Sequence, residues 1–292
     1  MKKFVCLVVF SIVFSLFAKI NLEGKFDWQG DSVKTLDEGI IYTQMEFSEP
    51  RIMKLAVIRI DLANPALRFK ITPKSDRWGE PMDELPQYTI HTERQKSRSF
   101  MENSIKNGEN MVIAINGAPW VPWQKPWNHR YGQVRGLLVA DGEVIAHADK
   151  LAPSFVVRKD GSCDLLSLDS KSDVSDIQQA ISGFCFVLQQ DNLVVGDSEQ
   201  LAPRTGYGLS KDRKYLYLLV IDGRQENYSM GSSVYEVGQL LSFFGASDAI
   251  NMDGGGSTTL LIRESGEIKK LNHHKNSVER SVAATMGIII DK

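Results

Sequence analysis

Asp253 is followed by Gly254, Gly255, Gly256 and Ser257. Packing gives no reason for three consecutive glycines beside a carboxylate, because glycine buries no side chain and carries a large ordering cost. Glycines do let backbone N–H groups approach a ligand closely and curl around an anion. The stretch therefore reads as an acid next to an anion cradle. Two more loops leave apolar runs in the same manner: Asn116-Gly117, after Met111–Asn116, and Asp222-Gly223-Arg224, after Tyr215–Ile221. An Asp-Gly pair is ordinarily a turn, and that reading holds for Asp141 and Asp160. Asp222 stands apart because Arg224 follows at once and no short hairpin returns. A guanidinium binds phosphate in a forked, charge-assisted geometry, so Arg204 and Arg224 are the candidate partners for an anionic substrate.

Loops of this kind need strands to carry them to one edge of a sheet. The chain is strand-rich from about residue 40. Residues 54–62 alternate as a strand should, and residues 67–71 read as another. Hairpin turns are expected at Asp141-Gly142, Asp160-Gly161 and Asp191-Asn192, residue pairs suited to positive φ. Tyr215–Ile221 is a near-continuous apolar run, the mark of a strand buried on both faces. Residues 92–106 are helix-compatible. A second helix is expected after Ser233, with Glu236 completing a capping box and Gly245 as the stop. Residues 282–290 read as a closing strand. These elements predict an α+β fold: one strand-rich domain, a mostly antiparallel or mixed sheet and few packed helices. Residues 19–110 form a strand-rich segment packed on a main unit spanning 111–292.

The 292 residues are 42% hydrophobic and 24% charged, ample for a sizeable core. A net charge of -2 supplies no basic field for nucleic acid. Met1-Lys2-Lys3, an apolar run through Phe17 and a small residue at Ala18 predict a signal peptide over 1–18. The mature chain is then exported, to the periplasm or the exterior, with no further membrane span. Cys163 and Cys185 remain, and an oxidising compartment leaves a disulfide between them open. No cofactor is called for. A divalent cation among Asp222, Asp253 and backbone carbonyls stays open, whereas His273-His274 lacks metal-ligand spacing. Trp120, Trp123, Trp127 and Tyr131 crowd one loop, either as stacking faces for a sugar or as a small satellite core. Ser257 lacks the Gly-x-Ser-x-Gly elbow of a nucleophile.

The order of blocks carries more than any single one. Ala114-Ile115-Asn116-Gly117, residues 204–209, residues 220–225, Tyr228-Ser229-Met230-Gly231, residues 249–257 and Arg280-Ser281-Val282-Ala283 together resemble the phosphodiester glycosidase family. The resemblance implies cleavage between a sugar's anomeric carbon and a phosphodiester oxygen, with a carbohydrate phosphodiester as the partner. By position Asp253, Asp222 and Arg224 match the family's motifs; Asp253 is the expected catalytic carboxylate, as nucleophile, base or stabiliser of a cationic sugar, and Asp222 comes second or only orients Arg224. The resemblance implies substrate contacts for Asn116, Arg204, Thr205, Gly254, Gly255, Gly256 and Ser257, to which the aromatic loop adds Trp120. Ala118-Pro119-Trp120 departs from the family's pattern, which puts specificity for N-acetylglucosamine in question. Two rivals remain: a noncatalytic polysaccharide-binding module, and a metal-assisted phosphodiesterase that cuts the P–O bond.

Overall fold

The computed structural model describes residues 20–123, 129–148, 150–196, 200–275 and 278–291. The expected signal peptide and Trp127 lie outside the described residues. The described residues form four sheets, of eight, five, five and three strands, and every strand pairing in them is antiparallel. The largest has eight strands, with Met53–Asp61, Tyr215–Ile221, Arg204–Leu209 and Asp248–Asn251 side by side at its centre. A five-stranded sheet is centred on Ile177–Ser182. Another five-stranded sheet places Met111–Asn116 between Leu260–Glu264 and Thr285–Ile290. Two helices, Ser97–Lys106 and Val234–Phe244, complete the described α+β fold. Neither is long and apolar enough to cross a membrane.

Side-chain alternation explains the layering. Along Met53–Asp61, residues Ala56, Ile58 and Ile60 face the core shared by the sheets, whereas Met53, Leu55 and Val57 face the opposite side. Tyr215–Ile221 splits likewise: Leu216, Leu218 and Val220 point one way, Tyr217, Leu219 and Ile221 the other. Both faces of this strand are covered, as its continuous apolar run requires. The outer cover is the helix Val234–Phe244, which contributes Val237, Leu240, Leu241 and Phe244. Upstream segments enter the same ladders. Met53–Asp61 pairs with Tyr215–Ile221, and Leu67–Ile71 pairs with Thr285–Ile290.

The second helix starts and stops where its sequence says. Ser233 accepts from the Glu236 amide, the Glu236 side chain accepts from the Ser233 amide, and Gly245 ends the helix at φ 113. Arg51 forms a buried ion pair with Glu236, tying this N-terminus to the bend that leads into Met53–Asp61. The first helix is shorter than its pattern suggests. Thr92–Glu93 is drawn into a strand beside Tyr131–Val134, and Gln95 bridges Val282, so tertiary pairing overrides local propensity there. The helix lacks a cap of its own, and Glu279 supplies one by accepting from the Arg98 amide at 2.8 Å.

The hairpins form at Asp141-Gly142 and Asp160-Gly161. The third turn sits one residue earlier than expected, at Gln190-Asp191, whose φ values are 49 and 66. The closing strand begins at Thr285 rather than 282. The open disulfide is resolved against pairing. Cys163 and Cys185 are free thiols in different sheets, and burial pushes the Cys163 thiol up to about 12.

Candidate active site

Register brings the sequence-predicted loops together. Arg204 pairs with Ile221, and Gly206 pairs with Asn251, so Arg204, Asp222 and Met252 emerge at one end of the eight-stranded sheet. Asn116 ends its strand opposite Thr285 in the neighbouring sheet. Its side chain then joins the two. Nδ2 of Asn116 donates to the Asp253 carbonyl at 2.6 Å, while Oδ1 accepts from Thr205 Oγ1 and from the Thr259 amide, both at 2.9 Å. Asn116 and Thr205 are fully buried. Neither lines the two cavities described below, and both sit behind the floor of the site, where they join its loops.

The glycine run also differs from its expected use. The amides of Gly254, Gly255 and Ser257 are engaged within the protein, by Asp253 Oδ1 at 3.0 Å, the Pro203 carbonyl at 2.8 Å and the Gly254 carbonyl at 3.1 Å. They are not an open cradle. What the run provides is room for cations. Gly255 has φ 61, and a Cβ there would sit 3.1 Å from Arg224 Nη1. A Cβ on Gly256 would sit 2.5 Å from Arg280 Nη2, inside any real contact. Two guanidiniums thus lie directly against backbone that has no side chains. Arg224 itself adopts φ 60, a conformation that costs a non-glycine residue of order 1 kcal/mol or more. It makes no ion pair with any described carboxylate.

Arg224, Gly255, Gly256 and Arg280 form a ridge shared by two adjoining cavities. The inner one measures about 270 Å³ and is bounded by Asp253, Ser257, Arg204, Trp123 and Phe184. Among the described residues Asp253 is the one carboxylate that lines it. Burial pushes the Asp253 carboxyl up to about 6, against the opposing influence of Ser257, Arg280, the Gly254 amide and Trp120. Ser257 Oγ and Trp120 Nε1 are buried at the pocket wall with no hydrogen-bond partner of ordinary length among the described residues. Both bear on the Asp253 carboxyl and favour its ionised form. Arg204 lines the same pocket while donating to the Ser232 and Gln200 carbonyls, and burial beside Arg224 lowers its pKa.

Trp120 is not an open stacking face. It is 2% exposed, and the Arg94 guanidinium lies 4.1 Å from its ring centre. The accessible aromatic surfaces belong to Trp123 and Phe184, 52% and 48% exposed. Arg94 donates to the Ser281 and His129 carbonyls, and burial together with Arg280 lowers its pKa to about 10. Arg280 carried no sequence signal beyond its place in the closing block. A lone arginine in a polar loop looks like solvated surface until the fold lays it on Gly256.

Asp222 does not line the inner pocket. Its Oδ1 accepts from the His273 amide at 2.7 Å, and burial raises its pKa to about 6. It fastens the 272–275 loop, whose Asn272 in turn bonds Leu260 N and Thr258 O. His274 is a structural histidine. It contacts Thr259 Oγ1 and Lys270 Nζ, and burial lowers its pKa to about 4. Among the described residues no three His, Cys, Asp or Glu side chains cluster as metal ligands would.

Arginines and a single carboxylate thus line one pocket among the described residues. The family model for phosphodiester glycosidases matches residues 109–289, and the chain belongs to that family. No curated protein matches the sequence. Among solved structures, the catalytic domain of zebrafish N-acetylglucosamine-1-phosphodiester alpha-N-acetylglucosaminidase, auto-inhibited by its pro-peptide, superposes with a TM-score of 0.61 at 17% identity. That likeness covers 93% of this chain and 87% of the zebrafish one. A hypothetical protein from Synechocystis gives 0.57 at 12% identity, over 88% of this chain and 64% of its own. At such identities the likeness is one of fold.

Proposed function

We propose that this protein is an exported hydrolase that cleaves the bond between a sugar's anomeric carbon and a phosphodiester oxygen. The observation that carries the reading is the buried Asp253, the one carboxylate among the described residues to line a monosaccharide-sized pocket that Arg224 and Arg280 also line. A sugar ring in the inner pocket would rest against Trp123 and Phe184, with its phosphodiester on the ridge between Arg224 and Arg280. Water's oxygen joins the anomeric carbon and gives up one proton to solvent or to the departing phosphate, while the carbon–oxygen bond breaks and its electron pair leaves with the phosphate monoester. That leaving group departs without strong acid assistance, unlike the alcohol expelled in the two-carboxylate plan. Asp253 meets the positive charge that develops on the sugar. Arg224 and Arg280 meet the charge that collects on the departing phosphate. The reaction needs no cofactor, and turnover is expected to survive chelator.

The test is hydrolysis of a panel of sugar-1-phosphodiesters in ¹⁸O-labelled water. Carbon–oxygen cleavage leaves the phosphate monoester unlabelled. Label in the phosphate would replace this reading with a phosphodiesterase, and no product from any member of the panel would leave a binding module. Detection of the chain outside the cytoplasm with a new N-terminus near residue 19 checks the export.

A further inference from the structure

The outer cavity is not needed to hold one sugar and one phosphate. It measures about 890 Å³, against 270 Å³ for the inner pocket, and the two meet only at the arginine ridge. Its wall carries Arg94, Arg130 and Lys275 besides the two ridge arginines, and Glu279 is the one carboxylate that lines it among the described residues. Glu279 is turned to the start of the first helix, where it accepts from the Arg98 amide. His274, also on this wall, is held neutral by burial. Among the described residues five cations face one occupied acid here, a concentration of positive field in a chain of net charge -2.

We propose that this cleft holds the continuing chain of an anionic glycan polymer, so that the scissile phosphodiester is one of a series of phosphates. The inference rests on the proposed hydrolase reading only for which end of the substrate enters first. Arg94 is committed to backbone carbonyls and acts through its field. Arg130 and Lys275 are exposed at the rim, where successive phosphates would pass. Arg130 meets Glu93 at 3.0 Å, but both are well exposed, so that pair is weak and readily exchanged for a phosphate. A neutral polysaccharide would gain nothing from such a wall.

The experiment measures binding of a short poly(glycerol phosphate) to the full mature protein by calorimetry at two ionic strengths. A dextran of equal length and a single-stranded oligonucleotide serve as comparators. The phosphate polymer should bind, weaken as salt rises, and outcompete the others; Arg130→Gln with Lys275→Gln should weaken it roughly tenfold. The same double variant should lower the preference for a polymeric over a small sugar-1-phosphodiester by a similar factor. Equal binding of dextran, tighter binding of the oligonucleotide, or an indifferent double variant would each overturn the inference. Turnover of small diesters with no polymer binding sinks this proposal alone. Polymer binding with no turnover of any diester sinks the hydrolase reading and leaves the cleft's assignment standing.

Discussion

Two Asp-Gly loops leave strands of the large sheet, and their aspartates have been pushed to the same place on the pH scale. Asp222 and Asp253 are both buried, and burial holds each near 6. Their surroundings differ. The Asp222 carboxylate accepts a backbone amide from the 272–275 loop, whereas Asp253 opens on a pocket and has its own loop's amide at one oxygen. Perturbed acidity alone does not separate a fastener from a reactive group. What separates them is whether an oxygen remains accessible to something other than protein.

The largest expected effect is therefore on Asp253. Asp253→Asn should lower turnover of a sugar-1-phosphodiester by about a thousandfold, the scale of losing a preorganised electrostatic group. Asp222→Asn keeps the acceptor for the His273 amide and should cost less than tenfold. Equal losses in steady-state assays of the two variants would erase the distinction. Arg224→Ala and Arg280→Ala come next, each at least tenfold down in kcat/KM with the fold intact by circular dichroism. This follows from one charge-assisted hydrogen bond of about 1.5–3 kcal/mol formed mainly in the transition state.

Acidity supplies the next test. If Asp253 works as an anion, kcat/KM should fall with unit slope as pH drops below about 6. The limb should vanish in no Asp222 variant. A rate that rises on acidification would make the group a proton donor instead. Stability should move in the opposite direction. Both carboxyls sit near 6 in the folded chain against an ordinary 3.8, so their contribution is fully present below about 3.8 and is lost as pH rises through 6. The amount is at most about 3 kcal/mol per group. At pH 7 Asp253→Asn and Asp222→Asn should thus both melt higher than the parent, although only the first is inactive. A lower melting temperature for both would show that their ionised forms are held by more than burial allows.

Much of this was legible in the residues. Periodicity and turn chemistry located the central strand Tyr215–Ile221, the capped helix after Ser233 and two of three hairpins, because those signals are local. The sequence also brought out the Asp253 and Arg224 loops, since glycines beside charge have few structural excuses. What it could not supply was direction. Asn116 and Thr205 belong to the matching blocks, but only the fold shows that both are sealed between sheets. Trp120 looks like a platform until Arg94 covers it, leaving that place to Trp123 and Phe184. The glycines suggested amide donors, but their use is to let Arg224 and Arg280 lie flat on the chain, and Arg280 becomes visible only through that contact. Each miss concerns a partner distant in sequence.

The Asn116 side chain clasps residues from three separate segments and straddles two sheets, beside the hydrogen bonds that Tyr207 makes to the Asn116 carbonyl and Tyr42 makes to Glu264. Sliding those layers by a single ångström would leave every ladder intact yet scatter the pocket floor. Loss of turnover in mild denaturant should accordingly precede any change in the far-ultraviolet spectrum, which makes catalysis the finest gauge of how tightly the halves are seated.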